Sequence, residues 1–135
     1  MHTIDHLGIA VKSVAQARKF YEQMGLEVTS EETVPHEKVR VAMIQLGHSR
    51  IELLEATSAD SVIAKFVEKR GEGLHHVAIQ VPDLTHAVEM LKATGTRFVS
   101  EEIKIGAGGH LYVFVHPSST GGVLLELVQD VPEGV

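Results

Sequence analysis

The chain repeats itself at an offset of 70 residues, and this repeat constrains the fold more than any other feature. Residues 4–11 (IDHLGIAV) align without a gap with residues 74–81 (LHHVAIQV), and residues 30–32 (SEE) align with residues 100–102 (SEE). Chance supplies single matches of this kind, but it does not readily supply several in the same order. A repeat at a fixed period is typical of a duplicated supersecondary unit. The sequence therefore predicts two tandem copies of one unit.

Each copy has the pattern of a βαβββ unit. A strand at about 4–11 leads to Ser13, a helix N-cap, and the apolar stripe of the next helix ends at Gly25. Asp83 and Gly95 take the same places in the second copy. The three later strands are predicted at about 26–34, 38–47 and 49–56, and again at about 96–104, 110–116 and 122–129. We expect one α+β domain over 1–135, with modules at about 1–56 and 74–130 and a linker helix near 60–70.

Composition restricts the class of function. The 135 residues include no cysteine, so disulfides, thiolate zinc sites and cysteine nucleophiles are excluded. A net charge of −6 with only 4% aromatic residues argues against nucleic-acid binding. No apolar run reaches the ~18 residues of a membrane span, and no signal peptide is visible at the N-terminus. We expect a cytoplasmic protein without nucleic-acid or membrane partners.

Four polar residues share one face of the predicted sheet. Alternation along a strand places His6 and His76 opposite the helix-facing side chains of the first strand of each module. The same alternation places Glu52 and Glu126 on that face of each module's last strand. Two imidazoles and two carboxylates that converge make a good site for a divalent transition metal and leave two positions of an octahedral ion open.

Each of the four residues also has a structural interpretation. A single histidine in a strand is more often a structural residue than a ligand, and His75, which alternates to the other face, is assigned no role. A carboxylate in an apolar strand needs a cation or several hydrogen-bond donors. Arg50, two residues from Glu52 on the same side of the strand, could form a structural ion pair with it. The symmetry of the four residues under the repeat favours the metal site.

These features together resemble the methylmalonyl-CoA epimerases of the vicinal oxygen chelate (glyoxalase-like) superfamily. The resemblance covers the whole chain and includes residues 4–11, residues 50–55 (RIELLE), the GLHHVA segment at 73–78, the loop 106–109 (GAGG), and His116-Pro117 followed by GVLLEL at 122–127. It implies that the two modules form a cupped, eight-stranded mixed sheet. A metal bound by His6, Glu52, His76 and Glu126 would lie at its centre.

The resemblance implies a divalent-metal-dependent epimerase that inverts C2 of methylmalonyl-CoA. Glu126 and Glu52 would be the two bases, one on each face of the metal-stabilised enolate. Cobalt is the expected metal, with zinc, nickel or manganese as alternatives, and a homodimer is expected. We also expect substrate contacts from Gly108 and Gly109 of the glycine-rich loop, which lacks the ending of a P-loop, and from Lys104 and Arg50.

The sequence departs from part of the family pattern and leaves rival functions open. Some epimerases carry glutamine at the position of Glu52 and a carboxylate in a nearby strand, but residues 39–46 contain no acid, which favours Glu52 as second base. A glyoxalase I (lactoylglutathione lyase) type isomerase would use the same His/Glu/His/Glu set. Ring-cleaving dioxygenases of the superfamily bind iron with two histidines and one carboxylate, so the second carboxylate argues against that function. A metal-free small-molecule binding protein of this fold would usually lack the four ligands.

Overall fold

The computed structural model describes residues 2–130, and within them it contains eight strands and three α-helices. None of these helices is long and apolar enough to cross a membrane. In chain order the elements are β1 Thr3–Ala10, α1 Val14–Gln23, β2 Val28–Val34, β3 Val39–Leu46, β4 Ser49–Ala56, α2 Val62–Arg70, β5 Gly73–Gln80, α3 Leu84–Ala93, β6 Lys104–Ile105, β7 Leu111–Val115 and β8 Leu125–Gln129.

The order of elements confirms the predicted α+β class with an eight-stranded mixed sheet. The chain divides into two compact units, one formed by residues 6–75 and the other by residues 2–5 with residues from 76 onward. The strand order is β2-β3-β4-β1 in the first unit and β5-β8-β7-β6 in the second. In each unit the first strand pairs in parallel with the last one, while the remaining pairs are antiparallel. The single domain over 1–135 stays a prediction, and residues 1 and 131–135 lie outside the described part.

The last strand of each module fixes the start of the module's own helix. The Glu55 carboxylate accepts a hydrogen bond of 2.7 Å from the Val14 N–H, and the Gln129 amide oxygen accepts one of 2.7 Å from the Leu84 N–H. The predicted caps add a second bond each, because Ser13 accepts from the Gln16 N–H and Asp83 accepts from the His86 N–H. These bonds satisfy donors that a helix N-terminus leaves open.

In each unit one helix packs against one face of the strands, α1 in the first unit and α3 in the second. Under α1, the buried residues Val11, Val14, Ala42, Ile44 and Leu53 form one apolar cluster. Under α3, a second cluster is formed by Val81, Leu84, Val88, Phe98, Val113, Val115 and Leu127. In both units the predicted histidines and glutamates alternate with these cluster residues along their strands and therefore belong to the other face.

The predicted strand at 96–104 is wrong over most of its length. Only Lys104–Ile105 form a strand, and Phe98 makes a single bridge to Val115. Phe98 and Ile103 both pack into the cluster under α3. Their separation of five residues would place them on opposite faces of a regular strand, so the chain between them must depart from extended geometry. The predicted strand at 122–129 begins later, at Leu125, because Gly121 and Gly122 have positive φ angles in the preceding turn.

Truncation of Leu53 tests the packing under α1. Leu53 is fully buried in its cluster, so Leu53→Ala removes packed methyl groups and leaves a cavity. We expect the free energy of unfolding to fall by about 2–5 kcal/mol, measured by chemical denaturation. Leu74→Ala in β5 is the matched control, because 57% of Leu74 is exposed, and it should have a much smaller effect. Equal losses in both variants would contradict this packing.

Candidate functional site

In the first unit, the buried residues His6 and Glu52 form a polar cluster with the half-buried Arg50. His6 lies on β1, and its Nδ1 is 3.3 Å from the Glu52 Oε2 on β4. The Arg50 Nε donates a hydrogen bond of 3.0 Å to the same carboxylate oxygen. His6 and Glu52 are 4% and 5% exposed. The ion pair that the sequence offered as an alternative explanation for Glu52 therefore forms, and it lies beside the imidazole.

In the second unit, His76 and Glu126 form the equivalent pair. His76 lies on β5, and its Nε2 is 3.0 Å from the Glu126 Oε1 on β8. Both residues are buried. The aromatic ring of Phe114 on β7 meets the His76 ring edge-on, with the ring centres 5.3 Å apart.

The strand register explains why each histidine meets its glutamate. Glu52 pairs with Gly8, and Glu126 pairs with Ala78, so each glutamate lies opposite the residue two positions after its histidine. Residues two apart on a strand share a face. Gly8 and Ala78 have no more than a methyl group on that face, which leaves room for the histidine and glutamate side chains to meet. The same geometry thus arises twice from the repeat.

Sequence reasoning missed two aromatic residues on the site face of the second unit. Tyr112 and Phe114 alternate with the cluster residues Val113 and Val115 along β7, and Phe114 pairs directly with Glu126 in the β7–β8 register. The signal was available in the sequence, because period-two alternation in residues 111–115 places both rings on the side of Glu126. Met43 occupies the corresponding place in the first unit, opposite Glu52.

The remaining predicted site residues lie in the second unit. The glycine-rich loop connects β6 and β7, and its Gly108 and Gly109 have φ angles of 73° and 81°. Lys104 lies on β6 directly opposite Tyr112. His75, to which the sequence assigned no role, belongs to the first unit, where its ring packs edge-on against Phe66 of α2.

The donor set of the two pairs suits a divalent cation. All four side chains are buried and are of types that could hold a metal ion. Imidazole nitrogens and carboxylate oxygens bind zinc, cobalt, nickel and manganese, whereas softer ions favour sulfur ligands. A carboxylate placed beside an imidazole in a buried position can also accept or donate a proton. The residues present therefore fit both metal binding and acid–base chemistry.

The family model described as the Glyoxalase/Bleomycin resistance protein/Dioxygenase superfamily matches residues 5–114, and the chain belongs to this superfamily. The mitochondrial methylmalonyl-CoA epimerase of Bos taurus is 42% identical over 128 residues, which cover 93% of this chain and 73% of the relative. An ethylmalonyl-CoA/methylmalonyl-CoA epimerase of Cereibacter sphaeroides is 38% identical over 129 residues, which cover 93% of this chain and 96% of the relative. Within the superfamily, the chain is a member of the methylmalonyl-CoA epimerase family, as the sequence predicts.

A solved structure has the same fold. The chain is similar to a Streptomyces coelicolor methylmalonyl-CoA epimerase variant in complex with 2-nitronate-propionyl-CoA, with a TM-score of 0.92 and 34% identity. The similarity covers 96% of this chain and 94% of that one.

Removal of the Arg50 guanidinium tests whether it stabilises the Glu52 carboxylate. Arg50→Met keeps much of the apolar stem and deletes the hydrogen bond to a buried charge. We expect a loss of about 1–3 kcal/mol in the free energy of unfolding, measured by urea titration. Arg18→Met is the matched control, because Arg18 pairs with Glu22 and Glu31 at the surface and exposed pairs contribute little. If Arg50→Met leaves the free energy of unfolding unchanged, the Glu52 carboxylate is not stabilised by Arg50.

Proposed function

We propose that this protein is a divalent-metal-dependent epimerase that inverts C2 of methylmalonyl-CoA. Membership of the epimerase family supports the choice of methylmalonyl-CoA as the substrate. The observation that carries the mechanism is the buried His–Glu pair that recurs in each module at the same strand register. Inversion at one carbon needs two proton-transferring groups, and the duplicated module supplies two equivalent carboxylates.

The chemistry of the substrate explains the need for two bases. C2 of methylmalonyl-CoA carries a hydrogen between a thioester carbonyl and a carboxylate, so loss of that proton gives a planar enolate. Return of a proton to the opposite face inverts the centre, and the two transfers require bases on opposite sides. We assign these roles to Glu126 and Glu52.

We propose that His6, Glu52, His76 and Glu126 are the ligands of one divalent ion. When bound, it would supply a Lewis acid for the negative charge that develops on the substrate oxygens. The donor types support cobalt, zinc, nickel or manganese, and cobalt is our first choice.

The two carboxylates have different neighbours. Glu52 accepts a hydrogen bond from Arg50 and lies 3.3 Å from the His6 ring nitrogen. Glu126 lies beside His76 and has the ring of Phe114 as its cross-strand partner. A two-base inversion needs one carboxyl group ionised and the other protonated when each turnover begins.

Contacts to the coenzyme A thioester are proposed for Lys104, Gly108, Gly109 and Arg50. A lysine beside a glycine-rich turn suits a phosphate or carbonyl group, which supports Lys104, Gly108 and Gly109. Arg50 is paired with Glu52 through Nε, and its guanidinium carries five N–H donors in total. The homodimer and the cytoplasmic location remain predictions.

Exchange of the C2 hydrogen in heavy water tests the two bases. The wild type should exchange C2–H of both epimers, while Glu126→Gln and Glu52→Gln should each lower epimerisation by at least about 100-fold, the scale of a lost general base. If each carboxylate serves one face, the two variants should retain exchange of opposite epimers. NMR or mass spectrometry of separated epimers gives the readout.

Glu55→Gln is the matched control for these variants. Glu55 lies on the same strand as Glu52, but it caps α1, and glutamine already performs this task at position 129. We expect near wild-type exchange in Glu55→Gln. If metal-loaded wild type exchanges no C2 hydrogen, the epimerase proposal fails, and the hemithioacetal of methylglyoxal, the substrate of the rival isomerase, becomes the compound to test.

Removal of metal tests the cofactor independently of the bases. Dialysis against a chelator should abolish C2 exchange, and addition of cobalt should restore it. Full activity of protein that atomic absorption shows to be metal-free would refute the role of the ion.

A further inference from the structure

The site face of the second unit carries an apolar surface that the proton transfer itself does not use. The side chains of Tyr112 and Phe114 form this surface, and we call it the aromatic wall. Tyr112 is buried and packs with Ala78 and Val128, and Phe114 packs against this cluster. Phe114 is only half-buried, so part of its ring remains available to a ligand.

The aromatic wall lies directly beside the proposed base. Phe114 is the cross-strand partner of Glu126, and such partners have Cβ atoms about 5 Å apart. The ring of Phe114 stands at 87° to the His76 ring, with centres 5.3 Å apart, and at 76° to the Tyr112 ring, with centres 5.8 Å apart. Both are favourable edge-to-face arrangements that hold the rings in place.

Gly106 supports the aromatic wall from the glycine-rich loop. A Cβ atom at this position would lie 3.0 and 3.1 Å from two carbons of the Tyr112 ring. Contacts this short would force the ring to move, so the loop backbone can approach Tyr112 only because residue 106 has no side chain. The position of the rings is therefore fixed by the strand, the histidine and the loop together.

The chemistry of the substrate indicates what this surface contacts. Besides its hydrogen, C2 of an alkylmalonyl thioester carries a carboxylate, a thioester carbonyl and an alkyl group, of which only the alkyl group is apolar. It is bonded to the carbon that Glu126 must reach, so it must lie within a few ångströms of the base. An apolar group gains most from contact with an apolar surface. The aromatic wall is the apolar surface next to Glu126 in this unit.

We infer that the aromatic wall bounds the space for the C2 alkyl group and that Phe114 determines which 2-alkylmalonyl-CoA thioesters are accepted. This inference rests on the proposed epimerase function and adds the substrate range. A methyl group fits against the ring, while a longer alkyl group would have to displace Phe114 from its contacts with His76 and Tyr112.

Substitution of Phe114 by a smaller residue tests the inference. C2 exchange would be measured for methylmalonyl-CoA and ethylmalonyl-CoA, which differ by one methylene. We expect Phe114→Leu to raise kcat/KM for the ethyl compound relative to the methyl compound by about tenfold, the lower end of what one methylene is worth in a fitted pocket. Phe114→Met is a second variant with an unbranched side chain, in case the leucine variant does not fold.

Phe98→Leu is the matched control, because Phe98 lies in the same unit but packs under α3 on the other face of the strands. Its selectivity ratio should equal that of the wild type. An unchanged ratio in a folded, active Phe114 variant would overturn the inference and leave the epimerase function intact.

Cobalt affinity separates a selectivity role from support of His76. An equal fall for both substrates, together with weaker cobalt binding, would show that Phe114 only positions His76 and would also overturn the inference. If wild type exchanges neither compound, the proposed function fails and the inference fails with it.

Discussion

The structure depends on two carboxylates that are buried in β-strands. Glu52 and Glu126 lie in apolar strands and are 5% and 8% exposed. A buried charge without partners would cost several kcal/mol, so nearby side chains must supply them. Each unit does so with a histidine on the parallel strand, and the first unit adds Arg50. The proposed chemistry uses these same groups, because a carboxylate held beside an imidazole is ready to bind a cation or to move a proton.

The duplicated module separates this polar face from the helix face of its strands. Apolar residues on one side of each strand pack under α1 or α3, while the caps from Glu55 and Gln129 tie each helix to its own last strand. Glu55 lies three positions after Glu52, and Gln129 lies three positions after Glu126. This odd spacing directs the first residue of each pair to the site and the second to the helix. One strand therefore carries both a candidate site residue and a residue that stabilises the helix.

The sequence predicted the fold where its pattern was regular. The repeat, the caps at Ser13 and Asp83, and strand alternation were sufficient to predict the order of strands and helix in each βαβββ unit. These patterns gave a wrong prediction at 96–104, because Phe98 and Ile103 pack into one cluster and this tertiary packing overrides the local strand preference. Alternation and symmetry placed the histidine and the glutamate of each module on one face, but their pairing at 3.3 and 3.0 Å follows from the strand register, which the sequence does not show. Tyr112 and Phe114 were missed because apolar side chains in a strand are usually assigned to the core, and only the register shows that Phe114 faces Glu126.

The central proposal for this protein is that His6, Glu52, His76 and Glu126 are the ligands of one divalent ion. Cobalt titration of the metal-free protein, followed by visible absorption and equilibrium dialysis, tests it most directly. We expect one cobalt per chain in the wild type and a loss of affinity of similar size in His6→Ala and His76→Ala. Two ions per chain, or a loss in only one of the variants, would contradict it.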